Sequence, residues 1–155
     1  MKIVILSFIL SALMATRSWF LFWWMTLFYL MHIFLMDYKT YYISYTWMGL
    51  GCFLWILWSQ FYWMPVLLFG LPCFLLWLIC PNQIGSADVF YICLFGSLLG
   101  LPRFIVCMLI AIGCGIFYYM LHPKSMIPFV SCLCVGFVVS FWRGFLLYDI
   151  LTLWK

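Results

Sequence analysis

Glutamate is missing from this chain, and acidic charge of any kind is scarce: Asp37, Asp88 and Asp149 stand against seven lysines and arginines in 155 residues. Charged side chains make up 6% of the sequence, where an ordinary soluble domain has about 25%. That shortage excludes a water-soluble fold, which needs polar residues to cover its exterior. The basic residues stand singly within a net charge of +4, so no basic face exists for nucleic acid. No CxxC pair occurs. Seven of the eight cysteines (Cys52, Cys73, Cys93, Cys107, Cys114, Cys132 and Cys134) fall inside apolar runs and read as free thiols packing as small hydrophobes. Cys132 and Cys134 are poorly spaced for ligating a metal from one helix, and His32 and His122 have no second ligand at helical spacing. Neither a metal nor a cofactor is expected.

What the chain has is apolar length. Hydrophobic residues make up 70% of it and aromatic ones 24%. Six runs, Trp19 to Met36, Ile43 to Trp58, Tyr62 to Ile79, Val89 to Leu101, Phe104 to Leu121 and Ile127 to Trp142, are separated by breaks rich in Pro, Gly, Asn, Ser or charge. Each approaches the roughly 20 apolar residues of a membrane-spanning helix, and shorter ones suffice where the bilayer thins. Trp19, Tyr41, Tyr42, Trp58, Tyr62, Trp63, Tyr118, Tyr119 and Trp142 sit near the breaks, as interfacial aromatic belts do. The expected fold is an all-α, polytopic membrane protein: a six-span helix bundle over residues 19–142. An apolar segment precedes it within residues 1–18, and an amphipathic tail follows over 143–155. The segment, Ile3 to Ala15, reads either as a signal-peptide core or as a short extra N-terminal span.

Acidic residues beside membrane segments are functional candidates by default. Asp37 closes the first run and Asp88 opens the fourth, so two crossings return the chain to the same side. The turn His122 to Phe129 emerges there too, and Asp149 emerges opposite. Two carboxylates brought together can share one proton, one activating water and the other acting as acid toward a peptide carbonyl. The alternative is that each aspartate only caps a helix end or pairs with a lysine. Lys39 and Lys124 lie with the aspartates, and Arg17, Arg103, Arg143 and Lys155 lie opposite, so charge does not fix the orientation.

In chain order, Asp37-Tyr38-Lys39-Thr40, Gly85-Ser86-Ala87-Asp88, and Lys124 through Ile127-Pro128-Phe129 with Gly136 beyond are similar to the motifs of type IV prepilin peptidases, which are GxGD-type intramembrane aspartic proteases. The likeness runs from about Trp19 to Trp142. It implies that Asp37 and Asp88 are the catalytic pair, and that Gly85, Ala87, Lys124, Pro128 and Phe129 support the motif or the substrate. It implies prepilin-like precursors with class III leader peptides as partners, alongside membrane lipid. It also implies a multi-pass protein of the cell membrane with its site toward the cytoplasm. The family's CxxC-bearing insert is absent, so the chain resembles a short form with peptidase and no methyltransferase activity.

This sequence departs from the pattern at Ala87, where the motif has its second glycine, around Ser44, where a proline often follows the first aspartate, and at Ser131, where a proline commonly follows Ile-Pro-Phe. Asp88 near a helix N-terminus and Asp37 at a C-terminus lead to the expectation that Asp37 holds the shared proton. Competing readings are a degenerate relative, a structural subunit of a membrane complex, or a transporter. The last lacks recurring polar residues at mid-span.

Overall fold

A chain with so few polar side chains must satisfy its peptide groups within each segment, and helices do this residue by residue. The computed structural model describes residues 19–57, 61–81, 84–123 and 126–152, which are helical or connecting with no strand among them. The expectations placed on Ile3 to Ala15 and on Lys124 fall outside the described residues.

Each of the six apolar runs forms a helix: α1 Trp19–Thr40, α2 Tyr45–Leu57, α3 Trp63–Ile79, α4 Ser86–Leu99, α5 Leu101–Leu121 and α6 Phe129–Thr152. α3 widens at Val66–Gly70 into a π-helical turn, in which the Leu71 N–H donates to the Val66 carbonyl. Pro72 accounts for the widening, because it offers no N–H and its ring crowds the carbonyl one turn earlier.

Three boundaries differ from the sequence reading, each for a local reason. Asp88 lies within α4 rather than before it. The break expected around Pro102 and Arg103 shrinks to Gly100, whose φ of +75° is open to glycine without penalty. Pro102 then falls in the first turn of α5, where its missing N–H costs nothing. The segment from 143 does not start a new helix: α6 runs on through it to Thr152, and the bare α-carbon of Gly144 makes room for the Arg103 side chain of α5.

Three helix pairs run antiparallel, as two contacts in each show: Tyr29 of α1 meets Gly51 of α2 while His32 stacks on Trp47, Pro65 of α3 meets Gly96 of α4 while Gly70 meets Cys93, and Ile127 before α6 meets Gly115 of α5 while Gly144 meets Arg103. α5 and α6 form the most extensive pair. There Gly136 lies against the Cys107 backbone with no space for a β-carbon. α6 also packs on α1 and α4, which makes it the central helix. Ile33, Tyr91, Phe95, Phe104, Leu133 and Phe137 are fully buried between these elements. The outside is apolar too, with large residues such as Leu67, Phe74 and Ile79 of α3 and Ile116, Phe117 and Met120 of α5 exposed. By length and composition α5 is apolar enough to cross a membrane, while α3, α4 and the Phe129–Gly144 part of α6 are apolar but shorter.

Candidate active site

The antiparallel order brings the end of α1, the start of α4 and the start of α6 to one end of the bundle. Between them is a cavity of about 710 Å³, with Asp37, Gly85, Ala87, Asp88 and Phe129 in its wall. Asp37 and Asp88, 51 positions apart in the chain, therefore line one cavity. Met126 and Ile127 before α6, Cys73 of α3 and Met108 of α5 make the rest of the wall largely apolar. Pro128 does not line it. Pro128 is buried, and its carbonyl accepts the Cys132 N–H at 3.2 Å. Asp149 lies about 27 Å further along α6 than Ser131, at 1.5 Å rise per residue, and takes no part.

A carboxylate in the last turn of a helix faces unpaired carbonyls, an unfavourable place for negative charge. Asp37 escapes this by turning to another helix. Its Oδ2 accepts the backbone N–H of Ser131 at 2.7 Å and the Ser131 Oγ–H at 2.9 Å. Ser131 is the third residue of α6, where a helix has an N–H with no carbonyl one turn earlier. Asp37 thus supplies α6 with an acceptor, and is only 6% exposed.

Asp88 is held by its own turn. Its Oδ2 accepts the Gly85 N–H at 3.1 Å, while its N–H donates to the Gly85 carbonyl, also at 3.1 Å, which closes the first turn of α4. Gly85 has an ordinary extended backbone, φ −73° and ψ 143°, so it contributes space rather than a left-handed conformation. A β-carbon there would stand 3.1 Å from the Asp88 Oδ2. Ala87 is the second residue of α4. Among the described residues only Tyr41 and Gly100 have positive φ, so the alanine that departs from the motif sits where alanine is the best helix former.

Burial pushes the Asp37 carboxyl upward, and the two Ser131 hydrogen bonds oppose it. For Asp88 burial is again the largest cause, the Gly85 amide opposes it, and the negative charge of Asp37 adds to the rise, which takes the carboxyl to about 6. Asp37 thus accepts two hydrogen bonds that favour its charged form and Asp88 one. The expectation drawn from helix ends considered only the helix that carries Asp37 and not the one facing it.

Tyr41, a belt residue by its place beside a break, lines the cavity. It ends α1 with φ +52°, its N–H bonded to the Asp37 carbonyl at 2.9 Å and its hydroxyl 3.1 Å from that of Tyr118 on α5. By sequence, Ser131 is only a departure from the motif. The Pro-x-x-Ser pattern marks it as first-turn, but nothing in the sequence pairs it with Asp37. His32 stacks on Trp47 with ring centres 4.0 Å apart and His122 on Tyr118 at 4.9 Å, so both are packing residues here. Compared with protein-family models, with curated proteins and with solved structures, the chain matches none.

Proposed function

We propose that this chain is a membrane-embedded aspartic endopeptidase, similar to the short type IV prepilin peptidases, that removes the leader peptide of prepilin-like precursors. The observation that carries the reading is that Asp37 and Asp88, the chain's acidic residues at this end, line one cavity of about 710 Å³ with a mostly apolar wall. Two carboxyls so placed, one ionised and one protonated, suit two-carboxylate activation of water. The ionised group takes a proton from water as its oxygen attacks the scissile carbonyl carbon. The protonated group gives its proton to the carbonyl oxygen. As the tetrahedral intermediate collapses, the C–N bond breaks, the amine nitrogen leaves with a proton, and the pair returns to one shared proton. Water and one peptide bond become one carboxyl and one amine.

Six membrane spans belong to the same proposal. Supporting them are the apolar exterior, which would be costly in water, and the burial of peptide polar groups within helices, as lipid requires. The shorter helices, α2, α3 and α4, cross by local thinning of the bilayer. The site faces the cytoplasm on the strength of the resemblance. The substrate then presents a basic leader at that face and an apolar helix within the membrane.

The test is co-expression with a prepilin bearing a class III leader, comparing leader removal by wild type, Asp37→Asn and Asp88→Asn at matched membrane levels. Wild type removes the leader, and each variant loses at least about a thousandfold in rate. Equal cleavage by an Asn variant, or none by wild type on several unrelated leaders, would leave a non-catalytic membrane protein in its place.

A further inference from the structure

Among the described residues, the hydrogen bonds that fix the Asp37 carboxylate come from Ser131, which stands where the pattern above commonly has a proline. Resting on the peptidase reading, we infer that Ser131 is a positioning residue that keeps Asp37 ionised and oriented, so that Asp37 takes the proton from water and Asp88 donates one to the scissile carbonyl.

Three features of the geometry carry this. Both bonds, 2.7 Å from the backbone N–H and 2.9 Å from Oγ, converge on Oδ2, which leaves Oδ1 as the oxygen that can address water. A carboxylate at a helix N-terminus is favoured as the anion, and the peptide N–H, unlike a side chain, cannot turn away when the carboxylate gains a proton. The Ser131 hydroxyl can turn. Its Oγ is also 3.0 Å from the Phe34 carbonyl. Its single proton points to Oδ2 while Asp37 is charged and to the carbonyl once Asp37 is neutral, so neither state strands a buried donor. The backbone N–H is thus the larger contribution and the hydroxyl the smaller. Asp88 also lies in the first turn of a helix, but among the described residues it accepts one amide, from its own turn, where Asp37 accepts two donors, and in this division of labour it keeps the proton.

The titratable groups facing Asp37 among the described residues are Asp88 and Tyr91 from α4, Cys132 and Cys134 from α6, and Tyr41 after α1. Lys39, two residues on in α1, is exposed. Of the facing groups only Asp88 is an acid in the carboxylate range, so the acid side of a pH profile reports on this pair.

Ser131→Ala removes the hydroxyl, Ser131→Pro also removes the N–H at a first-turn position that tolerates proline, and Ser131→Thr keeps both. Losing bonds to the charged form makes Asp37 easier to protonate, so the acid limb of leader cleavage moves to higher pH. The expected shift is about half a unit for Ser131→Ala and about one unit or more for Ser131→Pro, with Ser131→Thr like wild type. The second readout needs no turnover: infrared titration of the Asp37 carboxyl in the full chain carrying Asp88→Asn. The same order of shifts supports the role of Ser131. An unmoved carboxyl band in both Ser131→Ala and Ser131→Pro overturns it, whatever the cleavage rates. Shifted bands in a protein that cleaves no leader overturn the peptidase reading and the division of labour with it, while leaving Ser131 as the group that holds Asp37 charged.

Discussion

The two aspartates at the cavity are held in opposite ways. Asp88 is fixed by its own turn, through an amide three residues away, and that hydrogen bond would survive in any helix beginning Gly-Ser-Ala-Asp. Asp37 is fixed by Ser131, 94 positions along the chain, and its surroundings exist only when α6 is docked on α1. A site assembled from one local and one long-range support has its carboxylate positions set by different parts of the fold. Damage to packing should reach Asp37 first.

That contrast can be broken most severely at Gly136. A valine there has no room beside the Cys107 backbone, so Gly136→Val should separate α6 from α5 and destabilise the protein by about 3 kcal/mol. Thermal unfolding in detergent measures this, and a wild-type melting temperature would refute the close contact.

Next in size is the pH response. Asp88, pushed up to about 6, is protonated below that value and charged above it. Rising pH removes the acid and sets two negative charges together. The kcat/KM for leader cleavage should therefore fall about tenfold per pH unit above about 6. Stability follows the same sign. A carboxyl raised in the folded state stabilises most at low pH and loses that contribution as pH rises through about 6. A flat profile between pH 6 and 8 would remove Asp88 as the proton carrier.

Gly85→Ala probes the local support alone. Its β-carbon would press on the Asp88 Oδ2 at 3.1 Å, displacing that carboxylate while α6 and Asp37 stay in place. A loss of about tenfold in cleavage rate with an unchanged melting temperature is expected, and an equal loss of both would mean that Gly85 supports the fold instead. The smallest effect belongs to Ala87→Gly. Restoring the motif's glycine at a helical position should cost about 1 kcal/mol of stability and change cleavage less than about threefold. A large gain in rate would show that the backbone there must move during the reaction.

How much of this was legible in the sequence follows the same division. The six helices were readable because apolar length and breaks are local signals, and so was the arrival of Asp37, Asp88 and Phe129 at one end, which needs only alternating helix directions. The limits of the helices were less readable. Gly100 and Gly144 look alike in sequence, yet one makes a turn by its φ and the other clears a path for Arg103. The partner of Asp37 was not readable, because it depends on α6 meeting α1. Nothing in the sequence near Asp37 announces a serine so far away.

The widened turn at Val66–Gly70 has a consequence for chain length. A π-helical turn accommodates one residue more than an α-helical turn would, so α3 behaves as a regular helix carrying a single insertion. Because each residue of an α-helix advances the face by about 100°, the widened turn absorbs that step and holds Leu71–Ile79 in phase with the half before it. Cys73 lines the cavity wall in this phase. Closing the turn to α-helix with every residue kept would rotate the cavity-facing half by about 100°, whereas a one-residue deletion that healed the turn would leave its phase unchanged. At this position it is the width of the turn, more than the identity of its residues, that maintains the wall beside Asp88.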